Sequence, residues 1–127
     1  MVFLNDRVLD LGLNVLDTEC DRFDICSQEP ANYTEATSTY TLGNKDHGAA
    51  GSAFGSPQNG DVSGRKVAST AVTDGSVTGT GTASHWAASD VTNTRLLAAN
   101  SLAASQAVTS GNTFTLASFD IEIPDPT

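Results

Sequence analysis

A serine and a histidine are adjacent at positions 84 and 85, and Asp90 follows five residues later. These residue types can form a nucleophilic triad, in which the histidine takes the serine proton and the carboxylate orients the histidine. The surrounding sequence predicts a β-strand, however, and adjacent strand residues point to opposite faces of a sheet. We therefore expect no nucleophile–base pair between Ser84 and His85. The sequence predicts no catalytic residues and no enzyme.

Acidic residues alternate with other residues at Asp17, Glu19 and Asp21, which superficially resembles the start of a calcium loop. Such a loop needs a glycine at its sixth position and a closing glutamate at its twelfth, where this chain has Gln28. Phosphate-binding and dinucleotide-binding glycine motifs are also incomplete. We therefore predict no metal site and no cofactor. The acidic residues are interpreted as a solvated face or as a face that meets a basic partner.

The two cysteines, Cys20 and Cys26, lie six positions apart. They have neither a Cys-x-x-Cys spacing nor the second ligand pair that a structural zinc site requires. Two interpretations stay open at this point. The cysteines can form a disulfide that closes a short loop under oxidising conditions, or they can remain two buried thiols that pack as small apolar groups.

The chain has 127 residues, with 15 acidic and 6 basic side chains and a net charge of −9. This length predicts a single domain over residues 1–127. The negative charge would repel DNA and RNA, so nucleic acid is excluded as a partner. The sequence contains no basic leader and no apolar run long enough for a membrane helix, so we expect a soluble protein made in the host cytoplasm, with no membrane partner.

Near the start of the chain, the spacing of apolar residues predicts an amphipathic helix over about residues 5–18. Asn5 is placed to cap this helix at its N-terminus. Gly12 lies in its middle and costs about 1 kcal/mol relative to alanine. We therefore expect the helix to depend on docking against its own sheet or against a neighbouring subunit.

The remainder, about residues 22–124, is rich in threonine, serine and valine and contains short alternating segments separated by turn signals. It predicts a mainly β fold, an antiparallel β-sandwich or jelly-roll-like barrel with the one N-terminal helix. Details include a strand at 22–26, a weak strand at 33–42, a glycine-rich loop at 43–64 and a hairpin turn at Asp74 and Gly75. The apolar phase of the last strand slips near Ala117 and Ser118, which predicts a bulge or kink there.

Several short segments carry a family resemblance: GTASHW at 81–86, RLLA at 95–98, SGNT at 110–113 and FDIEI at 119–123. Together with the Glu29–Pro30 turn, their order resembles small β-sandwich virion structural proteins of tailed bacteriophages, the head-decoration and tail-fibre-like proteins. The resemblance covers most of the chain and brings no catalytic residues with it.

The resemblance implies a non-enzymatic capsid decoration, or cement, protein that binds the assembled head shell and stabilises it. Its partners would be the major capsid protein and further copies of itself, as a homo-oligomer such as a trimer, and its location would be the capsid surface of the virion. The alternatives are a neck, tail or fibre component, and a carbohydrate-binding adhesin module that uses Trp86, Tyr33 or Tyr40 as a stacking platform.

The apolar stripe of the predicted helix and the acidic residues beside it are the candidate contacts with the capsid or with sister subunits. They are Leu4, Val8, Leu11, Val15, Asp17 and Glu19. The alternative, also open at this point, is that the helix covers one face of its own sheet.

Overall fold

A computed structural model of the chain describes residues 3–125. Within this range the protein is mainly β, as predicted, with the strands in antiparallel sheets. The strands are β1 (Phe3–Leu4), β2 (Arg22–Cys26), β3 (Thr41–Asp46), β4 (Gln58–Asn59), β5 (Arg65–Ala68), β6 (Val72–Val77), β7 (Gly81–Asp90), β8 (Arg95–Val108), β9 (Thr113–Leu116) and β10 (Asp120–Ile123). The helices are α1 (Asp6–Leu11), α2 (Asn14–Glu19) and a one-turn π-helix at Glu35–Thr39.

Seven strands form one antiparallel sheet in the order β1-β8-β7-β2-β3-β6-β9, and this sheet curls into a half-barrel. The remaining strands form a small sheet in the order β10-β5-β4. The long hairpin of β7 and β8 lies beside β2, so the middle of the larger sheet is made from residues far apart in sequence. The prediction of a mainly β, antiparallel chain is confirmed, whereas the finer prediction of a sandwich or jelly roll is not.

The main core lies on the inner face of the curled sheet. Phe23 and Ile25 alternate with polar neighbours along β2 and point into this core. An aromatic cluster fills its centre, because the rings of Phe23, Phe54 and Phe119 lie with their centroids 5.5 to 5.9 Å apart. The outer face of the sheet carries a second, smaller cluster of buried residues from β2, β7 and β8, which packs with Ala36 of the π-helix.

The predicted N-terminal helix is present as two shorter helices. Asn5 caps α1 as expected, because its side-chain oxygen accepts a hydrogen bond of 2.8 Å from the Arg7 amide. Gly12 then ends α1 with a φ of +81°, in the left-handed region that favours glycine. The chain restarts as α2 after Leu13, so the prediction of one continuous helix over 5–18 was wrong at the glycine.

The glycine-rich segment 43–64 is shorter as a loop than predicted, because β3 extends into it as far as Asp46. Gly43 is a strand residue that pairs with Ile25, and a Cβ added there would lie 2.6 Å from the Ser76 carbonyl oxygen. Later in the segment, Phe54 enters the core. The predicted weak strand at 33–42 is mostly the π-helix instead, and only its last two residues belong to β3.

Asp74 and Gly75 do not form the predicted hairpin turn, because both lie inside β6. The register of β6 with β9 shifts between Val72 and Gly75, and the Phe114 ring packs over Gly75. Glycine is required here for a close approach rather than for a turn. The phase slip at Ala117 and Ser118 also has a tertiary cause, since the chain crosses there from the large sheet to the small one.

Candidate functional site

Ser84 and His85 are in contact, contrary to the prediction from strand alternation. The Ser84 hydroxyl lies 2.8 Å from Nδ1 of His85 and 3.0 Å from the Ser27 carbonyl oxygen. The register of β7 with β8 shifts at this point, because Ala83 pairs with Gln106 whereas His85 pairs with Ser101. The resulting bulge breaks the alternation of side chains that the prediction assumed.

The third residue of the suspected triad is not brought to this pair. Asp90 lies five strand residues beyond His85, a distance of about 16 Å at the usual rise. Its carboxylate accepts hydrogen bonds from the backbone and side chain of Asn93. In residues 3–125, no carboxylate is hydrogen-bonded to His85. The geometry therefore offers a serine–histidine contact without the acid that would orient a catalytic base.

Cys20 and Cys26 are both free and buried. Cys20 starts the extended stretch that continues into β2, and six extended residues span about 20 Å. A disulfide requires Cα atoms within about 7 Å, so the two sulfurs cannot meet in this fold. Burial raises the pKa of each thiol to about 12. The interpretation as two buried thiols fits the structure, and the disulfide does not.

The acidic residues 17–21 do not converge on a common point. Glu19 accepts hydrogen bonds from Arg7 at 2.9 Å and from Arg95 at 3.2 Å, which ties α1 and α2 to β8. Asp21 is buried and accepts a 3.0 Å hydrogen bond from the Val91 amide. No group of three or more histidine, cysteine or acidic residues in the described part of the chain is arranged to hold a metal ion.

A buried ion pair that the sequence analysis did not single out lies on β2. Asp24 is fully buried, and Arg22 donates two hydrogen bonds of 2.7 and 2.9 Å to its carboxylate. The Thr41 hydroxyl donates a third, of 2.7 Å. Burial raises the pKa of Asp24, while Arg22 and Thr41 act in the opposite direction. Alternation along a strand would place Arg22 and Asp24 on one face, but their burial depends on the neighbouring strands.

The predicted partner contacts fall into two groups in the structure. Val8 and Val15 are buried in the chain's own core, so in this fold they are not available to a partner. Glu19 is used in the ion pairs described above, and Asp17 is partly exposed. The backbone of Leu4 lies in β1 opposite Ala98. Leu11 alone among the described apolar candidates is exposed, with 56% of its surface open to solvent.

Among the side chains whose exposure the structure describes, three large apolar ones are open to solvent, and two of them share a surface hollow. Besides Leu11 they are Val62 and Ile123, which are 97% and 40% exposed. Leu11 and Ile123 line a surface hollow of about 590 Å³ together with Pro57 and Pro124. The loop that carries Val62 is held against β10, because the Asp61 amide donates a 2.9 Å hydrogen bond to Glu122. We call the four apolar residues Leu11, Pro57, Ile123 and Pro124 around this hollow the Leu11 patch.

A second concave surface lies where the half-barrel is open. It is a groove of about 550 Å³ between β8 and the segment that follows β9. Trp86 and Phe119 form its floor, with stacked rings whose centroids are 4.2 Å apart. Trp86 is buried and therefore offers no open ring face to a sugar, and Tyr33 and Tyr40 are partly buried.

No helix among the described residues has the length and apolar character needed to span a membrane. Comparison with protein-family models, with curated proteins and with solved structures finds no match to this chain.

Proposed function

We propose that this protein is a non-enzymatic structural subunit of a bacteriophage virion that decorates the assembled head and stabilises it. The observation that carries the proposal is the Leu11 patch, a group of apolar side chains around a hollow that Arg65 and Asp125 also line, on a chain of net charge −9. Single exposed apolar residues are common on proteins, but a cluster around a hollow is typical of an interaction surface. The resemblance to phage decoration proteins supplies the identity of the partner, the major capsid protein.

The patch is built from parts of the chain that are held firmly relative to one another. Arg7 and Glu19 connect the two helices through an ion pair of 2.9 Å, which positions the end of α1 where Leu11 lies. On the other side, β10 pairs with β5 over four residues, which positions Ile123. A preorganised apolar surface loses little conformational entropy on docking, as repeated binding to a shell requires.

Decoration of a shell also explains why binding would stabilise it. A protein that binds only the assembled form shifts the equilibrium toward that form by mass action. The net charge of −9 keeps the free subunit soluble until it docks. We propose a homo-oligomer, such as a trimer, as the docking unit.

The first test is the number of copies of this chain in each purified particle, measured against the major capsid protein by quantitative gel densitometry. We expect a ratio near one to one, or a simple fraction such as one third. A count of a few to a few dozen copies would contradict decoration and would instead support a neck, tail or fibre component. No observation in the structure favours the carbohydrate-binding alternative.

The second test uses Leu11→Asp, with Thr92→Asp as the matched control on an exposed turn that does not line the hollow. Both changes add one carboxylate at the surface, so both variants should fold. We expect Leu11→Asp to lose binding to purified shells that lack the protein, because the shell would have to cover an unpaired charge. Equal binding by both variants would show that the Leu11 patch is not the docking surface.

A further inference from the structure

The half-barrel is open along one side because two of its strands have an unpaired edge. β8 and β9 follow one another in sequence but lie near opposite ends of the sheet order. β1 pairs with β8 at Ala98 and Ala99, and Asn5 donates hydrogen bonds to the carbonyl oxygens of Leu96 and Leu97. Among the described strands, β9 pairs with β6 alone. In residues 3–125, β8 from Leu102 onward and the whole of β9 therefore present one edge each without a paired strand. We call this opening the seam.

In the part of the chain that the structure describes, side chains connect the two sides of the seam, and no backbone hydrogen bond joins β8 to β9. Leu102 and Val108 of β8 meet Phe114 and Leu116 of β9 around a cavity of only about 50 Å³. Leu102, Leu116 and Phe119 are partly buried and pack on the main core. The groove over Trp86 lies at the same opening. Part of the apolar core therefore lies close to solvent along the seam.

The strands at the seam carry no charged side chain beyond Arg95, and Asp120, which lines the groove there, is paired with Lys66. No charged residue and no proline occurs between Arg95 and Asp120, although charged residues make up 17% of the sequence. Natural edge strands are usually protected by charged side chains, prolines or bulges. β8 has two bulges, one opposite Ser84 and one between Leu96 and Ala98. The exposed residues at the first bulge are Ala103, Ala104 and Ser105, none of them charged.

The absence of charge identifies the kind of partner that the seam fits. Two copies of this chain, each with a net charge of −9, repel one another wherever carboxylates face each other. The seam is a long surface on which copies can meet without that repulsion. A basic partner would gain little here, since the carboxylate that lines the groove, Asp120, already pairs with Lys66. We propose that a second copy of this chain covers the seam, through the β8 and β9 edges and the apolar residues between them.

The contact is separate from the Leu11 patch and does not depend on the proposed role in a virion. It also has a distinctive salt dependence. An interface made from ion pairs weakens as salt is added, because salt screens attraction between charges. Association through the uncharged seam should instead strengthen, since salt screens the repulsion between the acidic surfaces of the two copies.

The test is the association state of the purified full-length protein, measured by analytical ultracentrifugation from micromolar to millimolar concentration. We compare the wild type with Thr115→Glu on β9 and Ala103→Glu on the β8 bulge, both at exposed positions. Thr92→Glu, on the exposed turn between β7 and β8, is the matched control. We expect the wild type and Thr92→Glu to associate equally, and each seam variant to raise the dissociation constant by about tenfold or more.

Circular dichroism and urea unfolding establish that each variant is folded, and the two seam positions serve as replicates on different strands. A wild type that stays monomeric over the whole range would overturn the proposal. So would association that both seam variants leave unchanged, or that Leu11→Asp abolishes, because the interface would then lie elsewhere. If Leu11→Asp loses shell binding but still self-associates, the Leu11 patch and the seam are two separate binding surfaces.

Discussion

The indole of Trp86 stacks on the ring of Phe119, with centroids 4.2 Å apart and an angle of 29° between the ring planes. Trp86 belongs to β7 of the large sheet, whereas Phe119 lies immediately before β10 of the small sheet. Phe119 also contacts the rings of Phe23 and Phe54. The position of Phe119 is fixed by its amide, which donates a 2.8 Å hydrogen bond to the Ser69 hydroxyl. One partly buried ring therefore joins the two sheets.

This arrangement predicts a large effect of removing the Phe119 ring. Phe119→Ala should lower the free energy of unfolding by about 2–4 kcal/mol, because it removes apolar contact with three aromatic neighbours and leaves a cavity. Phe119→Leu, which keeps most of the volume, should lose less than half as much. Urea unfolding followed by tryptophan fluorescence measures both. A Phe119→Ala variant as stable as the wild type would show that packing of this ring contributes little.

The buried pair of Arg22 and Asp24 predicts strong coupling. Asp24→Ala should cost about 3 kcal/mol or more, since it leaves the Arg22 guanidinium partly buried without its partner. The double variant Arg22→Ala with Asp24→Ala should lose clearly less than the sum of the two single changes. The exposed pair of Lys45 and Asp74 provides a comparison, and Asp74→Ala should show no comparable loss. Additive effects at Arg22 and Asp24 would contradict a coupled pair.

The buried thiols predict a loss of stability at alkaline pH. The pKa of each thiol is about 12 in the folded chain, against an ordinary value of 9.0. As pH rises above about 9, the unfolded chain loses thiol protons that the folded chain retains, so the free energy of unfolding falls until the folded thiols also ionise near pH 12. A Cys20→Ala, Cys26→Ala double variant should show a shallower fall over this window. If the free energy of unfolding falls equally with pH in the wild type and the double variant, the thiols do not cause the loss of stability.

The same burial predicts that the thiols are unreactive in the folded protein. At pH 8 a thiol-specific reagent should label neither Cys20 nor Cys26 in native buffer and should label both in denaturant, because the reactive thiolate is suppressed and inaccessible. Mild oxidation should also leave the native protein without an internal disulfide, which mass spectrometry of peptides can establish. A disulfide between Cys20 and Cys26 in folded protein would contradict the geometry of β2.

Two glycines in the loop after β3 provide a matched pair. Gly48 and Gly51 have φ values of +83° and +77°, so alanine is conformationally strained at both. A Cβ at Gly48 meets nothing within 4 Å, whereas at Gly51 it would lie 2.5 Å from the Asp17 carbonyl oxygen. Gly48→Ala should cost about 1 kcal/mol, and Gly51→Ala clearly more, because it pushes the loop away from α2. Thermal unfolding measures the stability of both variants. Equal losses of stability would show that the loop can move away from α2 without cost.

Local features of the fold could be predicted from the sequence where one segment contains the whole physical cause. Asn5 caps the first helix because its side chain reaches an amide two residues away. The strand at 22–26 was predicted with its observed bounds because apolar and polar residues alternate along it. Capping hydrogen bonds and strand alternation involve only a few neighbouring residues. Short segments of sequence therefore predict the mainly β character and the start of the first helix.

Features that depend on distant strands could not be predicted in this way. Gly75 looked like a turn residue because only the Phe114 ring, 39 positions later, explains the glycine. Ser84 and His85 were predicted to face apart because the bulge that turns them together depends on how β8 pairs with β7. The direction of Val8 and Val15 toward the chain's own core, and the unpaired edges at the seam, likewise follow from the sheet order. The physical reason is that side-chain patterns specify local geometry, whereas pairing and burial are set by contacts between residues far apart along the chain.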